Sequence, residues 1–306
     1  VHRYSFSDAA GSTTVADSGG TAHGTVKGTG AAFDGAGHLT LPGGGSSSDA
    51  ADVIAGYVDL PNGIISVLVD ATFEAWINWA GPAGNAWQRV FDFGTSDGGE
   101  DVSNGNGNYI CLAPSQGTNA RFIVRDPATG TEPTIVNWTS EPPVGTEILM
   151  TCVYDQRNNV ARFYRDGVEI NTDDAPVRLR DLSDVNNWLG RSQWGDPMFA
   201  GTFNEFRIWD GALSAAQVLA SYTAGPDTLP VVVTAPTLTV SVGTSGLAIG
   251  WPASATGFVL ESTPELLSAG STWTTVDTSG AVTQGDQKVL TLPVETAGNK
   301  YYRMRQ

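Results

Sequence analysis

Short runs of alternating or β-branched residues, cut at close intervals by turn formers, dominate this chain. They fall at Ala71–Trp79, Arg89–Phe93, Tyr109–Leu112, Ala120–Arg125, Thr134–Trp138, Ile148–Tyr154, Val160–Tyr164 and Thr202–Trp209. Apolar residues two apart turn one face of each segment toward a core. Asp166 and Gly167 stand between Phe163–Arg165 and Val168–Ile170. That spacing predicts a two-residue hairpin, because both turn positions need positive φ. Asp34–Gly35, Asn62–Gly63 and Asp210–Gly211 mark further turns. A continuous series of antiparallel strands must close or pair its faces, so an all-β, two-sheet sandwich is expected. One short helix is expected after Ser214, which forms a capping box with Gln217 ahead of Val218, Leu219 and Tyr222. It is too short to stand alone and must dock on the sandwich.

Composition narrows the partners. Lys and Arg number 16 against 32 Asp and Glu, a net charge of −16. Such a surface repels phosphate backbones and anionic headgroups, so nucleic acid and membranes are poor partners. No apolar run reaches the ~18–20 residues that span a bilayer. Cys111 and Cys152 both lie in strand patterns and read as buried thiols or as one disulfide. With no His/Cys cluster, zinc and thiol redox chemistry are not expected. The opening residues, His2 to Phe6, already alternate like a strand, which reads as a mature, secreted or cell-surface form with any leader removed. A monomer is expected, alone or within a larger multidomain protein.

The pattern changes after the helix. Residues 1–225 read as the larger domain, 226–236 as an extended linker, and 237–306 as a smaller β-sandwich. Its strands are expected at Leu238–Val242, Leu247–Trp251, Gly257–Ser262, Trp273–Val276, Lys288–Leu292 and Lys300–Met304. Gly43–Asp52, rich in Gly and Ser, reads as a mobile loop of the first domain.

Several segments, in order, carry a family resemblance. They are Tyr4–Phe6 with Asp17–Gly20 and His23–Gly24; Phe33–Leu39 with Leu41–Pro42; Thr72–Ile77, a T-x-E-A-W strand; Phe163–Val168, like a Y-V-D-G hairpin; and Leu189–Ser192, Phe199–Trp209 and Ala212–Ser214. Together they resemble the laminin-G-like branch of the concanavalin A-like lectin/glucanase jelly rolls, over residues 1 to about 225. The resemblance implies a jelly roll and carbohydrate or polysaccharide binding. It also implies a structural calcium shared by an early Asp and a late Glu, the positions of Asp17 and Glu205. Asn204 departs from the family, which usually has Asp there. The competing reading has Asp17 closing an Asx turn and Glu205 paired with an arginine. Residues 237–306 resemble a fibronectin-III-like module through Leu247–Trp251, Phe258–Ser262, Trp273–Val276 and Tyr301–Met304.

Sugar recognition needs flat aromatic faces and forked polar side chains. Trp79, Trp87, Trp138 and Trp194 lie at strand ends or in loops and are the candidate platforms; any one of them could equally be core. Trp76, Trp188 and Trp209 sit in dense apolar patterns and read as core. Alternation puts Asp92 on the face opposite Phe91 and Phe93. Arg191 could read a carboxylate or sulfate on an anionic glycan, or form an internal pair with an Asp. Glycoside hydrolysis needs two spaced carboxylates, and the alternate-acid motif of related glucanases is missing, since Trp76 and Asn78 follow Glu74. A non-catalytic binding or adhesion module is therefore expected. The alternatives are a glycoside hydrolase or polysaccharide lyase on the concave sheet, and a structural spacer.

Overall fold

The structure, a computed structural model, describes residues 2–82, 86–230, 236–243, 246–255, 258–266, 271–293 and 298–305. The chain divides into two units, 1–230 and 231–306. Residues 231–235 of the expected linker and Gly257 of an expected strand lie outside the described residues.

The first unit is built on two antiparallel sheets of eight strands each. The first sheet runs Val168–Asp173, Val160–Arg165, Glu147–Asp155, Ala71–Trp79, Pro197–Asp210, Leu39–Ser46, Ala32–Phe33, with His2–Tyr4 also paired to Pro197–Asp210. The second runs Thr134–Asn137, Arg121–Arg125, Asn108–Ala113, Phe91–Thr95, Asn186–Leu189, Tyr57–Leu60, Gly24–Lys27, Thr14–Val15. Neighbours distant in sequence show that the chain crosses repeatedly between sheets, as in a jelly roll.

Alternation fills the space between the sheets. Phe73 and Phe206 from the first sheet meet Phe91 and Phe93 from the second, with Phe73 and Phe91 centroids 5.0 Å apart. Each buried Phe contributes about 1.5–3 kcal/mol. The predicted hairpin forms, with Asp166 at φ 49° and Gly167 at φ 79°. The helix Ala215–Ala224 carries both bonds of the capping box and ends at Gly225, φ 80°. Its Val218 packs on Val153 and Tyr164, on the outer face of the first sheet. Glu74, from the T-x-E-A-W strand, anchors this docking: it accepts from Trp209 Nε1 at 2.7 Å and from Ser221 Oγ of the helix at 2.9 Å.

Two expectations resolve differently from their sequence reading. Gly43–Ser46 is no loop but the continuation of the strand Leu39–Ser46. A Cβ on Gly43 would lie 2.4 Å from Ala200 Cβ, so only glycine allows the two strands this approach. The cysteines are free. Cys152 lies in the core between the sheets, whereas Cys111 lies with Tyr109 and Ile123 on the far side of the second sheet. A sheet separates the thiols, which rules out the disulfide alternative in this arrangement.

In the second unit, Thr239–Gly243, Gly246–Pro252, Gln287–Leu292 and Val282–Gln284 form one antiparallel sheet. Thr274–Thr275, Val259–Thr263 and Tyr301–Arg305 form another. Ile249, Trp251, Leu260, Leu290 and Met304 make its core.

Candidate functional site

The strand Arg121–Arg125 turns Phe122 and Val124 inward, so Arg121, Ile123 and Arg125 share the outer face of the second sheet. Cys111 and Tyr109 lie beside Ile123 and Arg125 by register. Trp87 and Trp194, from two separate loops, pack over the Tyr109–Cys111–Ile123 patch and stay half-buried.

Each tryptophan is held by specific contacts. Trp87 sits at φ 71°, a left-handed conformation a bulky residue rarely adopts. Its N–H donates to the Ser115 carbonyl at 2.7 Å, and its own carbonyl accepts from the Arg89 guanidinium at 2.6 Å. Such strain costs on the order of 1–3 kcal/mol and persists only where the surroundings impose it. Trp194 donates from Nε1 to the Tyr109 hydroxyl at 3.2 Å, which donates to Glu132 at 2.8 Å. Gly105 lies against the ring: a Cβ there would come 2.5 Å from Trp194 Cε3.

Arginines lie over both rings, Arg89 at 5.4 Å and Arg121 over Trp87, and Arg125 over Trp194. The Arg121 guanidinium lies 5.7 Å from the Trp87 centroid, and that of Arg125 lies 6.0 Å from the Trp194 centroid. Arg121 donates from Nε to Asn137 Oδ1 at 2.8 Å. Arg125 donates from Nε to the Asn106 and Gly107 carbonyls, each at 2.9 Å.

Beneath this layer, Asp92 is fully buried. Its Oδ2 accepts from Arg89 Nε at 3.2 Å and from the Gln193 N–H at 3.0 Å, while Oδ1 has no partner. Burial pushes the Asp92 carboxyl up to about 7, against the pull of Arg89. A perturbed acid often marks a reacting centre, but Asp92 lies out of reach of any ligand. With Asp196, which accepts from Arg89 at 3.0 Å, it pins the loop that carries Trp194.

Arg191 stands toward the other end of the same face, beside a cavity of about 210 Å³ also lined by Lys27, Asp49, Tyr57 and Asp101. Its guanidinium lies over the Tyr57 and Trp188 rings, at 4.8 and 4.1 Å. It donates to the Ser47 carbonyl, the Tyr57 hydroxyl and the Asp101 carbonyl. That fork is spent on holding two loops together, and Asp92 pairs with Arg89 rather than with Arg191.

Trp79 and Trp138 are not platforms. Trp79 is fully buried and donates from Nε1 to Gln88 at 2.9 Å. It shares the inward parity of Phe73, Ala75 and Ile77 on its strand. Trp138 follows Val136 in the same way and meets Phe163 edge-on at 6.4 Å. Trp76, Trp188 and Trp209 are buried as expected. Sequence reading missed Arg121, Arg125 and Tyr109; the alternation Arg121-Phe122-Ile123-Val124-Arg125 carried the signal.

Asp17 and Glu205 are linked through one residue, Arg3, which gives its backbone N–H to Asp17 and its guanidinium to Glu205. Asp17 accepts from His2 Nδ1 at 2.7 Å and from the N–H groups of Arg3, Gly19 and Ala22. Arg3 grips Glu205 through Nε at 2.8 Å and NH2 at 3.0 Å, and Arg207 and the Asp227 N–H also bond it. Burial alone would raise both carboxyls; these hydrogen bonds outweigh it and hold both below the usual range. The residues do not fit a calcium site, because N–H donors occupy the oxygens such an ion would need. The Asx turn and the arginine pair are both present instead. Asn204 donates to Glu147 at 3.0 Å. Among the described residues, no three His, Cys, Asp or Glu side chains group to hold a metal ion. None of their helices is long and apolar enough to cross a membrane.

The two stacked antiparallel sheets define a jelly-roll sandwich. Residues 52–219, more than half of the chain, match the laminin G model of the concanavalin A-like lectin/glucanases superfamily. The chain belongs to that family. No curated protein sequence matches it. Among solved structures, it is similar to domain 4 of AbnA, a GH43 extracellular arabinanase from Geobacillus stearothermophilus, in complex with arabinotriose. That match has 21% identity over 71% of this chain and 95% of the domain, with a TM-score of 0.54. The Ruminococcus gnavus IT-sialidase CBM40, bound to α2,3-sialyllactose, matches with 14% identity over 54% of this chain and 96% of its own, at a TM-score of 0.44. At these identities the likeness is one of fold. The family match ends at residue 219 and does not reach the second unit.

Proposed function

We propose that the first unit is a carbohydrate-binding module that holds a polysaccharide on the Trp87–Trp194 platform without cutting it. One observation carries this reading: two loop tryptophans are fixed over one sheet face, with Arg121, Asn137 and Arg125 beside them. Aromatic faces suit the C–H surface of a sugar ring, and planar polar groups suit its hydroxyls. The solved arabinanase domain that shares the fold was captured with arabinotriose, which agrees with this use of the sandwich. The nearest acids are already engaged: Asp92 with Arg89, Glu132 with Tyr109, and Glu141 with Ser115. The reading needs no metal ion. It suits a secreted or surface protein, with the second unit as a fibronectin-III-like spacer.

Affinity electrophoresis of the whole chain in gels cast with single polysaccharides tests it. At least one polysaccharide is expected to retard the wild type, and the double variant Trp87→Gly/Trp194→Ala is expected to run free. Release of reducing ends or unsaturated products from that polysaccharide would identify an enzyme instead. No retardation in any gel would end the proposal.

A further inference from the structure

We infer that the platform selects an acidic polysaccharide, one bearing uronate carboxylates or sulfate esters, through Arg121 and Arg125. This rests on the proposed carbohydrate reading and adds the class of ligand.

The chain as a whole is acidic and repels polyanions, so only a local cluster of unpaired cations could hold one. Acids outnumber bases 32 to 16, so an arginine in this chain readily finds a carboxylate. Arg3, Arg89, Arg157 and Arg207 each have one within 4 Å. Arg121 and Arg125 make no ion pair with any described residue. Each instead gives its Nε edge to a neutral oxygen of the protein and lies over a tryptophan ring. The terminal nitrogens of both make no further bond among the described residues, and both residues are partly exposed.

That geometry prepares a reader of anions. The Nε anchor and the ring fix the guanidinium plane, so little rotamer freedom remains to be lost on binding. The free edge presents two parallel N–H donors, the fork that matches a carboxylate or sulfate bidentately. The acids Glu132 and Glu141 accept from the hydroxyls of Tyr109 and Ser115. Four residues of strand put the Cα atoms of Arg121 and Arg125 roughly 13 Å apart at ~3.3 Å per residue, and the two side chains are anchored to different segments, at Asn137 and at Asn106–Gly107. One acid group cannot reach both, so the pair reads a polymer with repeated charges. The partly exposed rings of Trp87 and Trp194, packed over buried Ile123, supply the apolar surface for the sugar faces.

The test uses matched polymers: polygalacturonate with its carboxyl-reduced form, and carrageenan, a sulfated galactan without uronates, with its desulfated form. Titration calorimetry on the whole chain gives affinities, and thermal melts verify the fold of each variant. One acidic polymer is expected to bind at least about tenfold tighter than its neutralised partner. Arg121→Gln and Arg125→Gln should each weaken that binding about tenfold, and Arg121→Lys, which keeps charge but loses the fork, should fall between. Preference for the carboxylate or the sulfate pair identifies the acid. Equal binding of acidic and neutralised polymers, lost in Trp87→Gly but unmoved by Arg121→Gln and Arg125→Gln, would overturn this inference while leaving the carbohydrate reading intact. Binding of none of the four polymers would overturn it as well, and the wider gel series then decides the carbohydrate reading by itself.

Discussion

Arg3 holds both oxygens of Glu205, from Nε at 2.8 Å and NH2 at 3.0 Å, and so fastens the start of the first unit to its closing strand. Glu205 is fully buried, and Arg207 shares it. Removing one partner of such a group leaves a buried charge less well compensated. Arg3→Ala is therefore expected to destabilise the first unit by about 3–5 kcal/mol, read as a lower urea midpoint. Excess EDTA should leave the melting temperature unchanged, since two arginines and an N–H engage the oxygens of Glu205, and N–H groups and His2 engage those of Asp17. A marked drop with EDTA would show that a cation does join Asp17 or Glu205 in solution.

Trp87 offers a separation of strain from binding. Its φ of 71° suits glycine and strains alanine. Trp87→Gly should therefore be more stable than Trp87→Ala by about 1 kcal/mol, although both lose the ring. Both should lose polysaccharide affinity equally. If the alanine variant were the more stable of the two, the left-handed conformation would not be imposed by the surrounding loop.

Gly105 bears on Trp194 without touching any ligand itself. A Cβ would meet the ring at 2.5 Å, and φ at 76° already disfavours a side chain. Gly105→Ala is expected to cost about 1–3 kcal/mol and to tilt the indole. Loss of the Trp194 Nε1 bond to Tyr109 should shift the tryptophan fluorescence. An unchanged spectrum with full binding would mean that the ring tolerates displacement.

Stability should respond to pH with two opposite slopes. An unfolded Asp titrates near 3.9, whereas folded Asp92 titrates near 7. The folded state holds that proton more tightly, so stability falls as pH rises from about 4 to about 7, by at most about 1.4 kcal/mol per unit. Glu205 is held low, so its contribution is present above about pH 4.3 and lost as pH falls through its folded value. Asp92→Asn should flatten the first slope, and Glu205→Gln should remove part of the acid limb. Denaturation midpoints across pH 3–8 check both.

Much of the scaffold was legible in the residues themselves. Period-two alternation located the strands, Asp166–Gly167 fixed a hairpin, and Ser214 with Gln217 capped the helix, because each depends on local backbone geometry. The same alternation assigned Phe91 and Phe93 inward and Asp92 outward. The same period also puts Arg121, Ile123 and Arg125 on one face and turns Trp79 and Trp138 into the core, but neither conclusion was drawn from the sequence, where both tryptophans read as platform candidates. Gly43–Ser46 was obscure for a different reason: glycine there serves a neighbouring strand, and the neighbour, at Ala200, is far away in sequence.

What the sequence determined by itself was the class of fold, the core-facing set and an acidic surface, since these follow from periodicity and composition. Which tryptophans remain accessible, which arginines stay unpaired, and what holds Asp17 near Glu205 were decided only by the tertiary structure. Those facts depend on loops brought together across long stretches of chain, and no local pattern records which donor will reach a given carboxylate first.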